Sequence, residues 1–237
     1  FCPNNGRNIS DELMLLDITL LKQFNFNAVR LSHYPNHHKW LELCDQYGLY
    51  VIDECNIETH GFQWSGQAVN YLSSSPQWYG AHLSRFVRMY ERDKNFASII
   101  GWSLGNESGV GISHHKMYNW GKLRETNGRF IQYESGCAVS KVTDIICPMY
   151  LHPNWCINQS IHDKKKRPVI LCEYAHAMGN SSGGLSDYWG KFLNPNYPRI
   201  QGGFIWDFVD QGLTLGKQSG CYGYGGDFND FPNTAQF

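Results

Sequence analysis

Residues 27–54 read NAVRLSHYPNHHKWLELCDQYGLYVIDE. The two ends, NAVRLSH (27–33) and LYVIDE (49–54), are short apolar runs of strand type. The middle, 36–47, has helical character, starts at Asn36 and is stopped by Gly48. Near-continuous apolar strands suit a parallel sheet buried on both faces. The same unit recurs outward along the chain. Further strand-like runs are IIGWSLGNE (99–107), FIQYE (130–134), DIICPMY (144–150), PVILCEY (168–174) and GGFIWDF (202–208). A helix is expected over 10–24, where Ser10 caps, Asp11 and Glu12 occupy the first turn, and Leu13, Leu16, Leu20 and Phe24 recur at helical spacing. Segments 79–93, 113–125 and 185–193 carry weaker helical patterns. Alternating strand and helix predicts an α/β fold with a parallel sheet. Seven strands are counted, and no repeat or linker divides the chain, so 1–237 reads as one domain. Its 237 residues fall just under the roughly 250 of a (β/α)₈ barrel.

Lys plus Arg number 20 and Asp plus Glu 21, so the basic excess that nucleic acids or anionic membranes demand is missing. The run 164–167 (KKKR) reads as a solvated loop. Aromatic residues make up 15%, which fits a large core or a pocket lined with rings. The 8 cysteines include no CxxC pair, which argues against a zinc knuckle or redox motif. Several lie in apolar runs, as expected of reduced thiols in a cytoplasmic protein. Neither a signal peptide nor a membrane-spanning run is evident. The chain opens at Phe1 without Met and reads as an excerpt of a longer one.

The chemistry gathers at strand ends. Arg30, Ser32 and His33 close the first run. Asp53 and Glu54, then Glu58 and His60, close the second. Asn106 and Glu107 close the third, Tyr150 the fifth, Glu173, Tyr174 and His176 the sixth, and Trp206 and Asp207 the seventh. In a (β/α)₈ barrel these ends share one face, where active sites sit. Glu107 and Glu173 are the leading pair. Glycoside cleavage needs two carboxyl groups flanking one bond, one to protonate the leaving oxygen and one to attack the anomeric carbon. Either Glu taken alone is more readily explained by a helix cap or an Arg partner.

These motifs resemble glycoside hydrolase family 2 and, within it, the large bacterial β-galactosidases. The resemblance runs along essentially the whole chain. It is carried by NFNAVRLSHYPNH (25–37), GLYVIDECNIETHG (48–61), GWSLGNESG (101–109), DIICPMY (144–150), ILCEYAHAMGNS (170–181) and QGGFIWDFVDQ (201–211). It implies a retaining enzyme acting on terminal β-D-galactosides of the lactose type, with Glu107 as acid/base and Glu173 as nucleophile. It implies Mg²⁺ on Glu58, His60 and Glu107. The imidazole is unusual for Mg²⁺ and leaves Mn²⁺ as an alternative. Asn233 matches a second, weaker magnesium position. Phe237 matches a backbone carbonyl ligand of Na⁺, a site incomplete in this chain. His33, His176 and Tyr150 match substrate-contacting positions, although each is also an ordinary core residue. The full-length parent is expected to be a homo-oligomer.

Other roles rest on physical argument. Trp206 offers a flat apolar face to galactose. Arg30 is expected to reach Glu173, with a salt bridge to Asp53 as the alternative. Asn106 is a candidate donor to the sugar 2-hydroxyl. The sequence departs from the family at both ends. Only Phe1-Cys2-Pro3 aligns with the end of the family's first-strand motif, so the expected fold is a barrel lacking its first strand and one pocket histidine. The chain stops in a loop after the last strand, and the family's flanking sandwich domains are absent. Rival readings are a β-glucuronidase or β-mannosidase of the same family, a metal-dependent amidohydrolase, and a non-catalytic sugar-binding fragment. The amidohydrolase would place an HxH pair at its first strand, and none is seen here.

Overall fold

The computed structural model describes residues 2–135, 140–177, 183–216 and 220–232. The first helix, α1 (Asp11–Gln23), is capped by Ser10, whose hydroxyl accepts from the Leu13 amide at 3.3 Å. Strand β1 (Ala28–Arg30) leads into α2 (His38–Tyr47) and β2 (Tyr50–Glu54). Helix α2 starts two residues later than Asn36, because the His37 ring takes the cap and accepts from the Lys39 amide at 3.2 Å. Gly48 ends it in the left-handed conformation at φ 71°, which glycine adopts without steric cost.

A short α3 (Tyr71–Ser74) precedes α4 (Tyr79–Asp93), β3 (Ile99–Ser103), α5 (Ile112–Arg124) and β4 (Phe130–Gln132). Then come α6 (Pro153–His162), β5 (Val169–Tyr174), α7 (Leu185–Phe192) and β6 (Ile200–Ile205). Helix α6 is absent from the sequence expectations. Its signal is Pro153 in the first turn behind a capping His152, an accepted start for a helix with little apolar periodicity. A small antiparallel pair, β7 (Leu213–Thr214) with β8 (Tyr222–Gly223), closes the described chain.

Strands β1 to β4 form one parallel sheet in sequence order, and β5 pairs parallel with β6. The run 144–150 joins the two. Asp144 exchanges bonds with Ile131 on β4, its amide donating at 2.7 Å and its carboxylate accepting at 2.8 Å. Ile146 and Met149 form parallel bridges to Val169 and Glu173. Pro148 lacks an N–H and interrupts the ladder, so this strand, the fifth of the seven expected runs, survives as bridges.

The arc thus carries seven strand positions, as expected of a barrel without its first strand. Among the described residues no ladder joins β6 to β1. A cavity of about 870 Å³ lies at that seam, lined by Val29, Met14, Leu21, Phe26, Phe204 and Trp206. The core sits between sheet and helices. Val51, Trp102 and Ile131 pack outward with Leu41, Phe86, Met89 and Met117, while Val169, Leu171 and Tyr174 pack with Cys156, Tyr188 and Phe192.

Candidate active site

Arg30 is the hub. It leaves the end of β1 and points into the barrel, its side chain 3% exposed. Its Nε and Nη2 donate to the two oxygens of Glu54 at 2.7 and 2.9 Å. Its Nη1 donates to Glu173 Oε1 at 2.8 Å, and Nη2 also reaches Asn106 Oδ1 at 2.8 Å. Burial alone would disfavour the charged guanidinium, yet Glu54 and Glu173 hold it well above its ordinary pKa. Glu54 is subject to the same opposition. Burial would raise it, and Arg30 with His33 keeps it below the ordinary carboxylate value. The expected reach of Arg30 to Glu173 is therefore present. Its alternative partner, Asp53, faces the helix layer instead. There burial and the neighbouring Asp93 push its carboxyl well above the usual range.

Glu173 reaches the lumen through an irregularity. Val169 and Leu171 face α6 and α7, so strict alternation would turn residue 173 outward as well. The β5–β6 register shifts between Leu171 and Tyr174. Cys172 and Glu173 then both face inward while Tyr174 packs outward. Such shifts re-aim side chains beside active sites. The Tyr150 hydroxyl donates to Glu173 Oε2 at 2.6 Å. Burial, reinforced by that bond, pushes the Tyr150 hydroxyl far above its ordinary pKa.

Glu107 lies past the end of β3, where Asn106 bridges to Glu58 beyond β2. Its Oε2 meets His60 Nδ1 at 2.8 Å. Asn106 Nδ2 donates to Glu58 Oε2 at 2.7 Å and more weakly to Glu107 Oε2 at 3.3 Å. Ligand atoms of Glu58, His60 and Glu107 all lie within 4.8 Å of one another. Two carboxylates and an imidazole converging in this way fit a divalent cation of the Mg²⁺ or Mn²⁺ type.

His33 stacks on Trp206 with centroids 4.9 Å apart and planes at 15°, and its Nδ1 contacts Glu54 at 3.0 Å. His176 meets the Tyr150 ring edge-on at 5.5 Å. Asn233 and Phe237 lie outside the described residues. Ser103 and Glu134 were not singled out from sequence, and Glu54 was named there only as a strand-end acid without a role. Glu54 and Ser103, bonded at 2.7 Å, anchor Arg30. Glu134 accepts from the Glu107 amide at 2.7 Å. Glu54 and Glu134 each end an apolar run, the same signal that picked out Glu107 and Glu173.

The model of the glycosyl hydrolase family 2 TIM barrel domain matches residues 1–237. The chain belongs to this family. That membership removes the amidohydrolase alternative. Curated relatives named β-galactosidase include proteins of Yersinia enterocolitica, 52% identical, and Photobacterium profundum, 53% identical, each aligned over 99% of this chain. The chain spans 23% of the length of either relative. Among solved structures, a β-glucuronidase from Ruminococcus gnavus in complex with D-glucuronic acid superposes with a TM-score of 0.68 at 20% identity. It covers 90% of this chain and 41% of its own. A family 2 member from Bacteroides cellulosilyticus gives 0.61 at 23% identity, covering 86% of this chain and 27% of its own. These two likenesses concern the fold.

Proposed function

We propose that the protein carrying this barrel is a retaining β-galactosidase that cleaves terminal non-reducing β-D-galactosides, lactose among them. One observation carries the mechanism. Glu173 and Glu107 are joined by only two intervening side chains, since Arg30 binds Glu173 and Asn106, and Asn106 binds Glu107. Both carboxyl groups therefore serve one small volume. Glu173 receives donors on both oxygens, from Arg30 and Tyr150, which fixes its orientation and suits a nucleophile. Glu107, more open and facing His60, suits proton transfer.

In the first step Glu107 gives its proton to the glycosidic oxygen as a Glu173 oxygen bonds to the anomeric carbon. The aglycone departs as an alcohol. In the second step water passes a proton to Glu107 while its oxygen displaces Glu173, which gives net retention. The stacked His33–Trp206 pair offers the sugar a flat wall. Tyr150 and His176 border the nucleophile, and Asn106 faces the 2-hydroxyl. Glu58, His60 and Glu107 would hold Mg²⁺ or Mn²⁺, which would supply a positive charge beside the acid/base. The reading also includes a sodium and a weaker magnesium site through Phe237 and Asn233, a homo-oligomeric parent and cytoplasmic residence. No helix among the described residues is long and apolar enough to cross a membrane.

The test is hydrolysis of chromogenic β-galactoside, β-glucuronide and β-mannoside by the intact enzyme, with the first product anomer followed by NMR. We expect preference for the galactoside, a β-anomer as first product, and labelling of Glu173 by a 2-deoxy-2-fluorogalactoside. Preference for another sugar, inversion, or a label on another carboxylate overturns the reading.

A further inference from the structure

The acid/base rests on an unusual stretch of backbone. Glu107 has φ 35°, in the left-handed region that is sterically unfavourable for a residue bearing a side chain. Gly105, two residues earlier, has φ 128°, and a Cβ there would sit 2.8 Å from the Ile57 carbonyl oxygen. The 105–108 segment is therefore pressed against the chain that follows β2 and turns sharply to present Glu107.

This segment is fastened on both sides. On the β2 side, the Asn106 amide donates to the Ile57 carbonyl at 2.8 Å. On the β4 side the fastening is a side chain: Glu134 Oε1 accepts from the Glu107 amide at 2.7 Å. Glu134 is itself anchored. The Ser135 hydroxyl donates to the same Oε1 at 2.8 Å, and the preceding residue, Tyr133, donates its hydroxyl to the Gly109 carbonyl at 2.7 Å. The loops after β3 and β4 are thus stitched together on either side of Glu107.

We infer that Glu134 is a positioning residue for acid catalysis, holding the Glu107 amide so that its carboxyl is aimed at the glycosidic oxygen. This rests on the reading of Glu107 as the acid/base. The amide bond fixes the peptide plane preceding the Glu107 Cα, and the direction of its side chain follows from that plane. A misaimed acid harms only substrates that need a proton on the departing oxygen. Alkyl and sugar aglycones need it fully, whereas a dinitrophenolate leaves readily without it. A purely structural role would lower turnover alike for every aglycone.

The experiment compares Glu134→Ala, Glu134→Asp and Glu134→Gln with Glu107→Gln in the intact enzyme, using lactose and aryl β-galactosides of graded leaving-group acidity. For Glu134→Ala we expect kcat/KM to fall about 10²-fold on lactose and phenyl galactoside, the scale of a misplacement near 1 Å. With dinitrophenyl galactoside it should stay within about threefold, so the leaving-group plot steepens. Glu134→Gln keeps a carbonyl acceptor and should recover most of the loss. Glu134→Asp should give a milder form of the same steepening, and it carries the test if the alanine variant does not fold. Equal loss across the series, or no loss, overturns the positioning role while Glu107→Gln still shows leaving-group dependence. If Glu107→Gln is itself uniform across the series, the acid/base reading falls and this inference falls with it.

Discussion

The two carboxylates of the site live in opposite surroundings. Glu173 is in a sealed wall, its side chain 6% exposed, against Arg30 at 3% and, beyond it, Glu54 at 0%. Glu107 is in an open wall, 33% exposed beside His60 at 39%. In the sealed wall charge is fixed by paired, hydrogen-bonded ions, where removing one partner leaves a buried charge uncompensated. In the open wall the side chain meets solvent, and its direction is set through its backbone amide. The first environment suits a group that must be held in one orientation until it forms a bond. The second suits one that exchanges protons with substrate and water twice per cycle.

The largest effect should come from the sealed wall. Glu173→Gln is expected to cut turnover by roughly 10⁴-fold or more, the scale of losing a nucleophile, with the thermal transition preserved because the amide oxygen still accepts from Arg30, the amide NH2 turns to donate to the Tyr150 hydroxyl oxygen, and Glu54 still pairs with the guanidinium. Substantial residual turnover by this variant would break the comparison at its centre. Arg30→Lys comes next. Lysine lacks the fork that binds Glu54 and Glu173 together, so we expect a loss of about 10²-fold in kcat. Denaturant titration should show a drop of about 3–5 kcal/mol, typical of breaking a buried pair. A variant with unchanged stability would show that the sealed wall tolerates a point charge in place of the fork. The smallest effect belongs to the open wall. Chelation of the intact enzyme is expected to lower activity about tenfold, with recovery on adding Mg²⁺, and Glu58→Gln should blunt that response without a change in fold. Activity indifferent to chelator, with no metal bound in elemental analysis, removes the cation from this wall.

Much of this arrangement is legible in the primary structure, for specific reasons. The strands at 49–54 and 168–174 are unbroken apolar runs ending in acids, and such runs belong to buried parallel strands. Ser10 and Gly48 mark helix limits because they satisfy or release backbone groups in ways few residues can. Helix α6 was not legible because its apolar contacts are few and its start depends on Pro153. Glu134 was also overlooked, although it ends the run 130–134 as Glu107 ends 99–107. Its partner is a backbone amide 27 residues away, which leaves no mark on residue type.

By itself the sequence determined the alternation of strand and helix, the family, and the set of polar residues at strand ends. These are local or one-dimensional properties, set by periodicity, capping chemistry and motif. Only the tertiary structure decided which acid Arg30 grips, choosing Glu54 over Asp53 because neighbouring residues on β2 face opposite layers. Only it decided that Glu173 faces the lumen, through a register shift that alternation along β5 would have denied. The open seam between β1 and β6 is likewise a property of the whole arc and of no single segment. Pairing across a barrel depends on register and packing between segments far apart in the chain, and those energies are defined only once the strands lie side by side.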